Sequence, residues 1–133
     1  MSKFKLKIVT PKGIYQEVEV NQLNLCATEG QIGILAHHIP LATAVEISKM
    51  SYIIDDQRYE FAVGGGFIYV NDNETKLIVN SIESKDEIDL NRAKEAKSRA
   101  EERINHPTND TDLMRAEIAL KKAINRIKVK ELN

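Results

Sequence analysis

The stretch SKDEIDLNRAKEAKSRAEERI, residues Ser84 to Ile104, decides the fold, because the hydrophobic rhythm of the chain changes there. Its apolar positions, Ile88, Ala93, Ala96, Ala100 and Ile104, fall three to five apart, as one helical face requires. Most of them are alanine, the residue with least to bury. Arg92, Arg99 and Arg103 form a second stripe on the same segment. Ser84 and Glu87 have capping-box spacing, and Asp86, Glu87 and Asp89 put negative charge where a helix N-terminus favours it. The pattern predicts a helix from about Ser84 to about Asn105, stopped at NHPTND by Pro107 and its polar neighbours.

Downstream, a second helix is expected from Thr111 or Asp112. Its seam, Leu113, Ala116, Leu120, Ala123 and Ile127, is a heptad stripe suited to one partner helix. The short connection makes the two helices antiparallel neighbours. Upstream the period is two. KFKLKIV places Phe4, Leu6 and Ile8 on one face and lysines on the other, and IYQEVEV and QLNLCA continue the alternation. MSYIIDDQRYEFAV reads as two strands joined at Asp55-Asp56-Gln57, and GFIYVNDNETKLIVNSI as two more joined at Asn71-Asp72-Asn73. Short strands at this spacing indicate an antiparallel sandwich or barrel. The plan is therefore α+β, with a β-domain over residues 1–84 and a helical hairpin over 85–133.

Composition agrees with a globular chain: of 133 residues, 42% are hydrophobic and 29% charged. No apolar run approaches the ~20 residues of a membrane helix, and MSKFKLKIVT lacks the continuous apolar segment of a secretory signal. Cys26 is the only cysteine, which excludes an internal disulfide. In LNLCAT it reads as a small buried hydrophobe, and the natural compartment is a reducing one. The net charge of −1 divides unevenly. Residues 1–84 carry 7 Lys/Arg against 10 Asp/Glu, and residues 85–133 carry 12 against 10. That surplus is too small for a nucleic-acid footprint, so no nucleic-acid partner is expected.

An alanine seam holds weakly. A buried methylene contributes about 0.8 kcal/mol, so alanine in place of leucine forfeits roughly two such units or more. Ordering backbone costs roughly 1–2 kcal/mol per residue, and isolated helices of this length are marginal in water. The hairpin should need the β-domain, a ligand or another protein to hold it, and such an element could switch. The alternative reading is an alanine seam that permits close permanent packing.

Five segments together resemble the epsilon subunits of F-type ATP synthases, nearly end to end: VTPKGIYQEVEV, EGQIGILAHHIPLATAVEI, FAVGGGFIYVNDNETKLIV, DEIDLNRAKEAKSRAEERI and DLMRAEIALKKAINRIKVKEL. The resemblance implies an N-terminal β-sandwich with a two-helix C-terminal domain, and no catalytic residues. It implies a place on the central rotor, with the gamma subunit and the c-ring as partners. It also implies a peripheral position on the cytoplasmic face of the cell membrane, without direct membrane insertion. The hairpin is expected to move between a compact form and an extended form. The extended form meets the catalytic beta and alpha subunits and inhibits ATP hydrolysis. Gly30, Gln31, Ile32 and His38 are the expected rotor contacts. Ala36 stands where the family usually has proline, while His38 and Pro40 match.

IDLNRA, residues 88–93, fits the Ile/Leu-Asp-x-x-Arg-Ala pattern by which many bacterial members bind ATP as a regulatory ligand. The resemblance makes Glu83, Ile88, Asp89, Arg92, Ala93, Arg99, Lys122 and Arg126 the nucleotide-binding set; no cofactor is required. In that set Asp89 accepts from the adenine amino group and Ile88 covers the ring. Arg92 and Arg99 meet Lys122 and Arg126 around the phosphates, where the arginine fork donates paired, charge-assisted bonds. ATP-binding relatives tend to have arginine at position 122; lysine keeps the charge and loses the fork. A ligand at a hundred times its dissociation constant adds roughly 2.7 kcal/mol, enough to decide a marginal hairpin.

Other motifs carry less. Gly64-Gly65-Gly66 precedes FIYV, a strand, so it is not a phosphate loop and instead allows a bulge or a close strand crossing. Gly30 and Gly33 are expected to permit turns. His37 and His38 have no carboxylate at ligand spacing, so no metal site is expected. An independent ATP-hydrolysing enzyme would need a phosphate-loop lysine and acidic metal ligands, and neither is visible. A free-standing ATP sensor or adaptor is the alternative function, separable by co-purification with gamma and the c-ring.

Overall fold

The computed structural model describes residues 2–72 and 74–131. Met1 and Asn133, the outer bounds of the two expected domains, lie outside the described residues, as do Leu132 and the expected turn residue Asn73. Eight strands come first: β1 (Phe4–Thr10), β2 (Gly13–Val20), β3 (Gln22–Ala27), β4 (Gly30–Leu35), β5 (Leu41–Ile54), β6 (Gln57–Val70), β7 (Glu74–Val79) and β8 (Ile82–Ser84). Two helices follow, α1 (Leu90–Asn105) and α2 (Leu113–Glu131).

The strand order is β2-β1-β7-β6-β5-β3-β4, with β8 paired to β6. Every pairing is antiparallel except β1 with β7, which runs parallel from Lys5↔Glu74 to Val9↔Ile78. Period-two alternation says which face is buried but not which way a neighbour runs, so this pair was not readable from the sequence. Inward side chains from all eight strands build one core, among them Leu6, Ile8, Leu23, Ile34, Met50, Val63, Ile68 and Leu77. A bond from Tyr52 Oη to Gln16 Oε1 at 2.8 Å links β5 to β2 and helps close the sandwich.

The long strands β5 and β6 change their inward face part way along. In β6 the residues that enter the main core are Phe61 and Val63 before the glycines and Ile68 and Val70 after them, so the parity of the inward face changes. In β5 the same shift falls between Val45 and Met50. The register itself does not slip, since Val45 pairs with Gly66 and Ile47 with Gly64, so the two strands change face together. Gly65 has φ +92°, a left-handed value that favours glycine. A side chain on Gly66 would collide with the backbone of Ile78. The triple glycine thus permits a close crossing and not a bulge, and the two strands expected on either side of it are one continuous β6.

Other differences have local causes. The β5–β6 turn needs only Asp55 and Asp56, both at positive φ (49° and 69°), and Gln57 already belongs to β6. Cys26 alternates with the buried Leu25 and Ala27 and faces away from the core, half-buried. It is not the core residue expected. Gly33 lies within β4, not in a turn. Ser84 and Glu87 do make reciprocal capping bonds, Ser84 N to Glu87 Oε1 at 3.0 Å and Glu87 N to Ser84 Oγ at 3.2 Å. They cap a single turn, however. The helix starts later, at Leu90, with Asp89 as its N-cap.

The helices pack on each other through Ala93 and Ala100 of α1 and Ala116 and Ala123 of α2, all buried. Leu113 is not part of this seam and is 46% exposed. Where the hairpin meets the sandwich, Ile88, Ala62 of β6 and Val129 of α2 form a small buried cluster apart from the main core.

Candidate functional site

Asp89 places the site. Its backbone is extended (φ −91°, ψ 106°), and its Oδ1 accepts from Arg92 N at 3.1 Å, as an N-cap does. That bond starts α1 and sets Arg92 in its first turn. Arg99 follows seven residues on, two turns along the same face. Packing the helices antiparallel brings Arg126 of α2 to this stripe. Glu83 of β8 is held beside it by pairing with Ala62. Together Glu83, Glu87, Ile88, Asp89, Arg92, Ala96, Arg99 and Arg126 line a cavity of about 270 Å³.

The structure therefore gathers six of the eight expected nucleotide-binding residues around one space. Lys122 is not among them. It lines a neighbouring, largely apolar cavity of about 210 Å³ that shares Glu83, Ala96 and Arg126 with the first. Its stem runs close to Gly64, whose added Cβ would stand 3.3 Å from Lys122 Cε. Ala93 is only 1% exposed and belongs to the helix seam. Ile88 lines the cavity while most of its surface is committed to Ala62 and Val129. Two lining residues went unread as site residues in the sequence, Ala96 and Glu87. Ala96 was legible, since it lies between Arg92 and Arg99 at helical spacing.

The carboxylates here are engaged. Glu83 Oε1 lies 3.5 Å from Arg126 Nη1, and Asp89 caps the helix. Glu87 Oε1 accepts both Ser84 N and the Tyr15 hydroxyl, the latter at 2.5 Å. The Tyr15 bond, followed by bonds from Ser84, holds the Glu87 carboxyl below its ordinary range. Burial, then the bond to Glu87, raises the Tyr15 phenol well above its own. The arginines are less engaged. Among the described residues neither Arg92 nor Arg99 has a carboxylate within ion-pairing distance, and the buried Nε of Arg126 has no hydrogen-bond partner. A buried donor without an acceptor is costly. The cavity thus offers unpaired guanidinium donors from both helices, which is the chemistry of a polyanion clamp.

The expected rotor contacts lie elsewhere. Gly30 (φ +129°) opens the edge strand β4, Gln31 and Ile32 follow it, and His38 lies in the loop to β5. His38 Nδ1 is 2.6 Å from Ile39 O, and Leu35 and Ile39 nearby are 49% and 75% exposed. Among the described residues no group of His, Cys, Asp and Glu could hold a metal ion, and no helix is long and apolar enough to cross a membrane.

Comparison with known proteins agrees with this architecture. The model of the ATP synthase delta/epsilon chain beta-sandwich domain matches residues 3–85, and that of the delta/epsilon chain long alpha-helix domain matches residues 86–131. The ATP synthase epsilon chain of Bacillus pumilus is 38% identical over 129 residues, covering 97% of this chain and 98% of the relative. That of Staphylococcus saprophyticus is 40% identical over 133 residues, covering 99% of each. A chain of the Euglena gracilis mitochondrial ATP synthase (OSCP/F1/c-ring, rotational state 1) has the same fold. Its TM-score is 0.80 at 19% identity, over 94% of this chain and 79% of that one. With two domain models spanning it and relatives aligned nearly end to end, this chain belongs to the epsilon-chain family of the ATP synthases.

Proposed function

We propose that the chain is a central-stalk subunit of an F-type ATP synthase, non-catalytic itself, which couples the catalytic head to the c-ring and regulates hydrolysis through its hairpin. Family membership supports the first part. Its fold also recurs in central-stalk and c-ring assemblies: the Tetrahymena thermophila central stalk/c-ring structure contains a chain with a TM-score of 0.58 at 15% identity, over 97% of this chain and 94% of that one. In this reading the sandwich grips gamma. Gly30, Gln31, Ile32 and His38, on the edge strand and its following loop, face the c-ring. The subunit is peripheral on the cytoplasmic face of the membrane.

For regulation, ATP binds the compact hairpin in the cavity between the helices. Phosphates take the donors of Arg92, Arg99 and Arg126, and the adenine amino group lies at Asp89. Clamping both helices to one ligand stabilises the compact form. Without it the hairpin extends toward the beta and alpha subunits and restrains hydrolysis. The unpaired Arg126 Nε beside two unengaged arginines is the observation that carries this reading. Calorimetric titration of the isolated chain with ATP tests it. Arg92→Ala and Arg126→Ala should each weaken binding tenfold or more, and unchanged affinity in both rejects the placement of the phosphates. Co-purification with gamma and the c-ring tests the stalk assignment, and a chain recovered only as a free monomer counts against it.

A further inference from the structure

The segment joining β8 to α1 is tied to the sandwich from two sides. Lys85 N donates to Glu60 O of β6 at 2.9 Å. Glu87 N closes on Ser84 O at 3.0 Å, and Ile88 N on the same carbonyl at 3.2 Å. The Glu87 carboxylate returns a bond to Ser84 N and accepts the hydroxyl of Tyr15 on β2. Tyr15 is itself fixed by its ring, which meets Phe61 edge-on with centroids 6.4 Å apart. From Asp89 onward the bonds run the other way, into the helix: Ala93 N to Asp89 O at 3.0 Å and Arg92 N to Asp89 Oδ1 at 3.1 Å. Apart from one bond from α2 into the turn, Lys130 Nζ to Lys85 O at 3.0 Å, the peptide link between Ile88 and Asp89 is where sandwich-directed backbone bonding gives way to bonding within α1. That link also lies on the wall of the arginine-lined cavity.

We infer that Tyr15 is a positioning residue for this cavity: it anchors Glu87, and with it the Ser84–Ile88 turn, to β2, so that the hairpin pivots at the Ile88–Asp89 link. A bond between side chains 72 residues apart crosses from the sandwich to the turn that carries the hairpin. Rotation about a free turn would spread over the whole linker and carry Asp89 and Arg92 away from Glu83. With the turn anchored, rotation concentrates at one link, and a ligand spanning Asp89, Arg92 and Arg126 bridges that link directly. The inference rests on the nucleotide reading for what fills the cavity, but not for the anchor.

The test uses the full chain. Tyr15→Phe keeps the ring against Phe61 and removes only the hydroxyl. In ATP-free protein, hydrogen exchange at the Glu87 and Ile88 amides should quicken fivefold or more while the amides of β1 and β7 keep their protection. Glu87→Ala should reproduce this. Glu87→Gln, which keeps an acceptor for the hydroxyl, should retain the protection. ATP titrated into Tyr15→Phe should bind 3–10-fold more weakly. Unchanged exchange at the turn in Tyr15→Phe, or equal loss in Glu87→Gln and Glu87→Ala, overturns the anchor. Wild-type ATP affinity in Tyr15→Phe overturns its role in placing the cavity. If the unsubstituted chain binds no ATP, the nucleotide reading and the role in placing the cavity fall together, and the exchange data still decide the anchor.

Discussion

Asn125 of α2 donates its side-chain amide to Ser48 O at 2.8 Å and reaches Val63 O at 3.5 Å. Ser48 and Val63 are paired across β5 and β6, so one side chain pins the second helix to two strands beside the glycines. Among the described residues the fully buried apolar cluster between hairpin and sandwich is small, Ile88, Ala62 and Val129, and this bond adds direction to a weak grip. A net hydrogen bond contributes about 1 kcal/mol. Asn125→Ala should therefore shift the balance of docked and undocked hairpin about fivefold toward undocked. Faster amide exchange along α2, with the strands unaffected, is the expected signature; unchanged exchange would show the pin to be dispensable.

The close crossing predicts a contrast between two glycines. A methyl group at Gly66 meets the backbone of β7, which cannot yield without breaking the ladder, whereas at Gly30 it meets open space. Gly30→Ala carries only the cost of its positive φ, roughly 1–2 kcal/mol. Gly66→Ala should cost about 3 kcal/mol or more. Chemical denaturation of the two variants checks the order, and equal losses would contradict the close crossing.

Lys122 and Arg126 differ in place as well as in chemistry. Arg126 borders both cavities and meets Arg92 and Arg99 in the first, while Lys122 lines only the adjoining one, against Gly64. Under the proposed nucleotide reading, Arg126→Ala should weaken ATP at least tenfold and Lys122→Ala less than threefold. Each tenfold step corresponds to about 1.4 kcal/mol. Calorimetry showing the larger loss at Lys122 would move the phosphates into the neighbouring cavity.

The bond between Tyr15 and Glu87 should be sensitive to pH at both extremes. The Glu87 carboxyl is lowered from 4.5, chiefly by the Tyr15 hydroxyl. Its contribution is present above 4.5 and lost as pH falls through the lowered folded value. The Tyr15 phenol is raised from 10.0, chiefly by burial. Its contribution is present below 10.0 and lost as pH rises through the raised folded value. Between about pH 5 and pH 10 the bond should be indifferent to pH. Subtracting the pH–stability curve of Tyr15→Phe from that of the parent chain should leave these two limbs. A flat difference curve would contradict the bond.

The main core contains residues of all eight strands and none of the helices. We therefore propose that the chain without residues 85–133 folds by itself. Circular dichroism should show a cooperative β melt, and the fragment should still bind gamma without restraining hydrolysis. Failure to fold would place the domain boundary elsewhere.

Much of this was legible beforehand. Alternation in KFKLKIV, the two aspartates of the β5–β6 turn and the alanine stripe of α1 each depend on neighbours a few residues away, which is the range over which period and turn chemistry act. The arginine pattern of α1 was legible for the same reason. Four features were not. The parallel β1–β7 pair, the change of inward face of β5 and β6 at the glycines, the use of Ser84–Glu87 for a turn and the separation of Lys122 from Arg92 and Arg99 all depend on segments distant in sequence. Position 66 takes glycine because the backbone of β7 occupies the space a side chain there would need. Lys122 lies apart from Arg92 and Arg99 because the antiparallel packing of α2 sets it against Gly64, whereas Arg126 reaches Glu83 and borders both cavities. Local chemistry thus determined the elements and the charges they carry. Only the packing of distant segments, through excluded volume and the geometry of a helix pair on a sheet, decided which of those charges share a cavity.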